Sequence, residues 1–198
     1  MKGTAFLISG FELNRTAADG QYSELRNAIA SKGYEVMPVD IKWNYHTMSR
    51  FVSEFKAFYL NKASKHNVII GNSFGAMAAM ITAPELKPDK IILCSLSPFF
   101  QEDIPRFQPP EKLTNWFGRR RVEDFSTISA TATANKINRA NTKSILFYGE
   151  QEKKKHKKLV DRVISTAHDL KGSQLIEIPG TPHSFRDPRY VIAISKVL

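Results

Sequence analysis

Six short segments of the chain are apolar runs rather than alternating patterns: TAFLIS (4–9), YEVMPVD (34–40), NVIIG (67–71), KIILCSL (90–96), SILFYG (144–149) and QLIEIP (174–179). A strand with one wet face alternates apolar and polar residues, whereas a strand buried on both faces reads as a continuous apolar run. Between these runs apolar residues recur at helical spacing. Tyr22, Leu25 and Ile29 form one stripe closed by Gly33, and Met48, Val52, Phe55 and Tyr59 form a second. Leu159, Val160, Val163, Ile164, Ala167 and Leu170 form a third, closed by Gly172, and Val191, Ile192 and residues 194–198 a fourth. Strands alternating with helices predict the α/β class: a mostly parallel six-stranded sheet with helices on both faces.

One stretch interrupts the alternation. Residues 97–143 contain no clear strand but carry Phe99, Phe100, Pro105, Phe107, Pro109, Pro110, Trp116, Phe117 and the triple arginine 119–121. Connections of that length in compact domains are functional or mobile. The expected organisation is one domain over 1–198, with 97–143 as a cap-like insertion of short helices after the fourth strand. At 198 residues, 42% hydrophobic and 24% charged, the chain has the balance of a globular protein with a single core.

Charge changes this picture little. Lys and Arg outnumber Asp and Glu by 29 to 19, a net +10. Its two local concentrations, Arg119–Arg121 and the KKKHKK run at 153–158, lack interleaved aromatics. The run opens an amphipathic helix, so a solvated face is expected there rather than a dedicated nucleic-acid site. The N-terminal apolar stretch is broken by Glu12, Asn14 and Arg15 well short of secretory or membrane-spanning length. The only cysteine, Cys94, lies in an apolar run and is expected to be buried and inert, which fits a cytoplasmic protein. Nothing in the sequence bears on oligomeric state.

The most informative segment is VIIGNSFGAM (68–77), a buried-type strand that ends in Gly71-Asn72-Ser73-Phe74-Gly75 and continues into an Ala/Met-rich helix. A serine on so sharp a turn needs neighbours with almost no side chain two residues before and two after. Its oxygen then stands at the carboxyl end of the sheet, above a helix N-terminus that favours negative charge. In these residues the chain resembles the α/β-hydrolase family, whose G-x-S-x-G nucleophile elbow is matched by residues 71–75 in the expected strand–turn–helix context. The resemblance spans the chain in a minimal form, without the family's first two strands, and implies the spatial strand order 2-1-3-4-5-6.

The resemblance further implies a base and an acid downstream of the serine. Of five histidines, His46 and His66 precede Ser73, and His156 and His168 fall in the basic helical segment. His183, in IPGTPHSF, follows a strand across a turn and is similar to the family's histidine. Glu152, in the spacing Gly149-Glu150-Gln151-Glu152, is the expected acid, with Glu150 and then Asp103 as alternatives. Amides of Phe74 and Phe11 are the expected oxyanion donors. Trp43, Tyr45, Phe99, Phe100, Trp116 and Phe117 are candidates for the substrate wall. The implied activity is hydrolysis of a small carboxylic ester through a Ser-His-Glu triad and an acyl-enzyme, with no metal or organic cofactor. Acyl transfer or cleavage of a thioester, amide or carbon–carbon bond by the same residues is the alternative. A non-catalytic hydrolase-like binding protein is another.

Overall fold

The computed structural model describes residues 1–12, 14–44, 46–104, 119–120, 123–125 and 127–198. Tyr45, Trp116, Phe117 and Arg121 lie outside the described residues. The strands are β1 (Gly3–Ile8), β2 (Tyr34–Pro38), β3 (Asn67–Asn72), β4 (Lys90–Cys94), β5 (Lys143–Gly149) and β6 (Gln174–Ile178). The helices are α1 (Ser23–Ser31), α2 (Met48–Lys62), α3 (Phe74–Leu86), α4 (Ala130–Ala140), α5 (Glu152–Lys155), α6 (Lys157–Asp169) and α7 (Pro188–Val197). Every strand pair is parallel, in the order β2-β1-β3-β4-β5-β6.

The four inner strands are apolar on both faces because they separate two cores, whereas the edge strands β2 and β6 are only partly buried, with Glu35, Gln174 and Leu175 exposed. Phe6, Ile8, Ile69, Ile91, Leu93, Leu146 and Tyr148 point to one face, where they meet α2, α3, α4 and α6. Their chain neighbours Ala5, Leu7, Val68, Ile70, Ile92, Cys94, Ile145 and Phe147 point to the other, where they meet α1 and α7. Because side chains alternate across a strand, a sheet clothed on both sides needs apolar residues at every position. Helix α3 obeys the same logic. It contacts β3, β4, α2 and α4 and is buried from Phe74 through Met80, so its first two turns have no polar face.

Each strand departs from its apolar run by one or two residues at an end. The run KIILCSL predicts a fourth strand through Leu96, but β4 stops at Cys94 because Ser95 takes a left-handed backbone, φ 51. The last part of the 97–143 segment forms α4, which packs on α3 and α6 and completes the crossover to β5. Ser129 caps α4 by accepting from the Ala132 amide at 3.1 Å. Among the described residues no helix is long and apolar enough to cross a membrane.

The winding direction reverses between β1 and β3, the two strands at the centre of the β2-β1-β3-β4 order. Their carboxyl ends therefore open a crevice that no crossover helix fills. Phe6, fully buried on β1, packs its ring against Phe55, Phe58 and Tyr59 with centroids 6.3, 6.0 and 4.5 Å away. Replacing Phe6 by Ala is expected to lower the unfolding free energy by about 3–5 kcal/mol, read as a shift in the urea midpoint.

Candidate active site

Ser73 is the single residue between β3 and α3, with φ 54 and ψ −115. Such backbone angles cost a non-glycine residue on the order of 1–3 kcal/mol and persist only where the surroundings enforce them. The enforcement is visible in the neighbouring glycines. A Cβ on Gly71 would strike the carbonyl oxygen of Gly75, and one on Gly75 would lie 2.5 Å from the Ser9 oxygen and 2.6 Å from that of Ile8. A Cβ on Gly10 would lie 3.0 Å from Asn72 Nδ2 and 3.3 Å from Ser73 Cβ, so the loop after β1 crosses close above the turn. The Ser73 amide donates to the Cys94 carbonyl at 2.9 Å, pinning the turn to the end of β4.

His183 comes to the same rim on the loop after β6. That loop is held to the end of β5: the Gln151 amide donates to Thr181 O at 3.1 Å, and a Cβ on Gly149 would strike the same oxygen. Glu152 opens α5 and is 0% exposed. Its Oε1 accepts from Ser95 Oγ at 2.6 Å and from Tyr190 Oη at 3.2 Å, and lies 3.4 Å from His183 Nδ1. The last distance is ion-pair range, longer than a formed hydrogen bond, and both His183 Nδ1 and Glu152 Oε2 are buried without a hydrogen-bond partner. Contacts of this kind tighten in substrate complexes. Burial, followed by the charge of Glu152, pushes the Tyr190 phenol up, so it stays protonated and can donate.

The two other acids considered have different partners. Glu150 is exposed and accepts from the Gly180 amide at 2.7 Å. Asp103 is clamped by Arg162 through contacts of 2.6, 2.9 and 3.1 Å.

Ser73 Oγ is hydrogen-bonded to Ser97 Oγ at 2.8 Å, and no hydrogen bond joins it to His183 in this structure. Ser73 and His183 nevertheless line the same pocket of about 540 Å³, together with Phe11, Phe74 and Phe99. A smaller recess of about 170 Å³, bordered by Gly10, Glu12, Tyr22 and Arg186, is also lined by both. As the first residue of α3, Phe74 has an amide with no carbonyl a helical turn earlier to receive it. The rings of Phe11, Phe74 and Phe99 form a chain, with centroids 5.2 and 5.0 Å apart.

The remaining aromatic candidates separate. Trp43 is fully buried and stacked on Phe51 at 4.0 Å and 4°, and Phe100 is fully buried under the Arg162 guanidinium. Neither lines the pocket, so for both the substrate-wall expectation gives way to core packing. Trp116 and Phe117 lie outside the described residues.

Several participants were not read from the sequence. Ser95, Ser97 and Tyr190 looked like ordinary strand-end and helix residues; their one signal was position, since Ser95 and Ser97 follow β4 at the carboxyl edge of the sheet. His156 is not inside a helix but joins α5 to α6, with its ring 5.1 Å from that of His183. Burial, the neighbouring His183 and Lys155 hold its pKa below the usual histidine range, against the opposing pull of Glu152. Cys94 is fully buried, and burial pushes its thiol well up. Among the described residues no group of three or more His, Cys, Asp or Glu is placed to hold a metal ion.

No family model and no curated protein matches the sequence. Solved structures do resemble it. Est1E from Butyrivibrio proteoclasticus superposes with a TM-score of 0.76 at 17% identity, covering 98% of this chain and 86% of that one. MGS-MChE2, an alpha/beta hydrolase enzyme from the metagenome of lagoon sediments at Mar Chica, Morocco, gives 0.67 at 13% identity, covering 98% and 88%. MenH from S. aureus gives 0.67 at 13%, covering 98% and 92%. The chain has the α/β-hydrolase fold. Within that fold the G-x-S-x-G turn occupies the switch point of the sheet, and the loops after β5 and β6 face it.

Two outcomes test this construction. Gly75→Ala is expected to destabilise by about 3 kcal/mol, because the atoms its methyl meets are backbone and cannot swing aside; urea unfolding measures this. Asp103→Ala should cost about 3 kcal/mol in the same measurement by leaving Arg162, whose side chain is 7% exposed, without its partner.

Proposed function

We propose that this chain is a serine hydrolase that cleaves a small carboxylic ester. The observation that carries the reading is the convergence, on one pocket, of a serine in strained backbone, an imidazole from a separate loop and a buried carboxylate behind that imidazole. Strain of this kind persists only where the surroundings enforce it, and here the close backbone approach at Gly10, Gly71 and Gly75 does so.

In the proposed reaction Ser73 Oγ leaves its hydrogen bond to Ser97 and attacks the ester carbonyl. Its proton passes to His183 Nε2, the ring nitrogen turned away from Glu152, and Glu152 stabilises the resulting imidazolium. The tetrahedral oxyanion receives hydrogen bonds from the amides of Phe74 and Phe11; in such sites one donor contributes about 3 kcal/mol to the barrier. His183 then returns the proton to the departing alcohol. Water, deprotonated by the same imidazole, releases the acid from Ser73. Ser95 and Tyr190 hold Glu152 by donating to it, and Phe99 and Phe74 supply apolar contact for the acyl or aryl part. Neither a metal nor an organic cofactor enters the scheme. A single buried cysteine suits a reducing compartment, which we take to be the cytosol.

A fluorophosphonate probe tests the proposal directly. The native chain is expected to be labelled at Ser73, with no labelling of Ser73→Ala and a rate lowered by roughly 10²–10⁴ in His183→Ala. A folded native chain that resists the probe throughout the neutral range sinks the reading. A panel of oxygen esters, thioesters and amides then separates ester hydrolysis from its relatives.

A further inference from the structure

The lysine run at 153–158 stands beside the nucleophile. Lys154, Lys155, Lys157 and Lys158 line the pocket that holds Ser73, together with Phe11, Phe74 and Phe99. No Asp or Glu is among the described residues lining it. Neighbouring carboxylates account for only part of the charge. Lys153 pairs with Glu177 at 2.5 Å and Lys157 with Asp161 at 2.7 Å. Lys154 and Lys155 have no ion-pair partner among the described residues. Glu152, the acid nearest them in sequence, is sealed behind the pocket and engaged by Ser95, Tyr190 and His183.

Helix stability does not explain these residues either. Lys157 and Lys158 occupy the first turn of α6, which carries no acid, where the positive end of the helix dipole disfavours a cation. The same end adds positive potential to the pocket mouth. An apolar wall, a row of lysines and a nucleophile in one pocket match a ligand that is apolar near its reacting carbonyl and negatively charged farther out.

We propose that the pocket takes an ester whose acyl or alcohol part ends in an anionic group, a carboxylate or phosphate, held by Lys154 and Lys155. This deepens the ester-hydrolase reading and relies on it only for the position of the scissile bond. The lysine–anion contact is tested without it.

Binding is measured by calorimetry on the Ser73→Ala chain, which removes turnover. The ligands are dimethyl adipate, monomethyl adipate and the methyl ester of 6-phosphooxyhexanoate. At least one charged ester is expected to bind about tenfold more tightly than the neutral diester. That advantage should vanish in the chain that also carries Lys154→Gln and Lys155→Gln, and shrink at about 0.5 M salt. Which charged ester binds better distinguishes carboxylate from phosphate as the group recognised. Equal affinity for charged and neutral esters, an advantage that survives the double substitution, or no binding of any of the three overturns the proposal. On the native chain, turnover of neutral and charged esters at equal kcat/KM sinks this inference and leaves the hydrolase reading standing. Charge-dependent binding by a chain that resists the fluorophosphonate does the reverse.

Discussion

Ser73 can hold φ 54 and ψ −115 only because three stretches of backbone press together around it. The end of β3, the start of α3 and the loop after β1 approach so closely that a methyl group at Gly71 or Gly75 would overlap main-chain atoms, and one at Gly10 would crowd Asn72 and Ser73. A strained serine in a loosely packed turn would relax within a few ångströms and lose its exposed oxygen. Here the turn is also tied sideways, by the Ser73 amide on the Cys94 carbonyl. The central sheet, buried on both faces, is what makes that clamp rigid. The site is therefore a property of the core as much as of the five residues that form the turn.

The second constraint concerns a buried charge. Glu152 has no exposed surface, and a carboxylate removed from water is costly unless hydrogen bonds replace its hydration. Ser95 and Tyr190 supply two, and each comes from a different part of the chain: the bend that ends β4 and the first turns of α7. Ser95 reaches Glu152 from the left-handed backbone that stops the strand early. The feature that shortens β4 relative to its apolar pattern is thus the one that satisfies the acid. His183 completes the arrangement from the loop after β6, so four separate segments meet at one carboxylate.

Much of this was legible in one dimension. Strands apolar at every position demanded a sheet covered on both sides, and the order of elements then allowed few topologies. Gly71 and Gly75 around Ser73 announced a cramped strand-to-helix turn, since only glycine suits those positions. His183 stood out because it alone among the histidines followed a strand across a turn downstream of the serine. Spacing after Gly149 favoured Glu152 over Glu150 without excluding either, since both follow within three residues; the path of the chain turns Glu152 inward and Glu150 toward the Gly180 amide. Trp43 and Phe100 failed as pocket candidates for the same reason. Aromatic composition cannot distinguish a pocket wall from a core, and both rings are wholly buried in packing.

The basic run makes the distinction sharpest. As a string, KKKHKK is a solvated helix start, because charge runs usually are. Folded, it turns at His156 between two helices and brings Lys154, Lys155, Lys157 and Lys158 to the pocket lined by Ser73 and the aromatic rings. What the sequence alone determined were the properties carried by local pattern: which segments are buried, how they alternate, and where the backbone must tighten around a serine. What only the tertiary structure decided was which distant side chains share a cavity, since that depends on loops whose course is set by long-range packing rather than by their own residues.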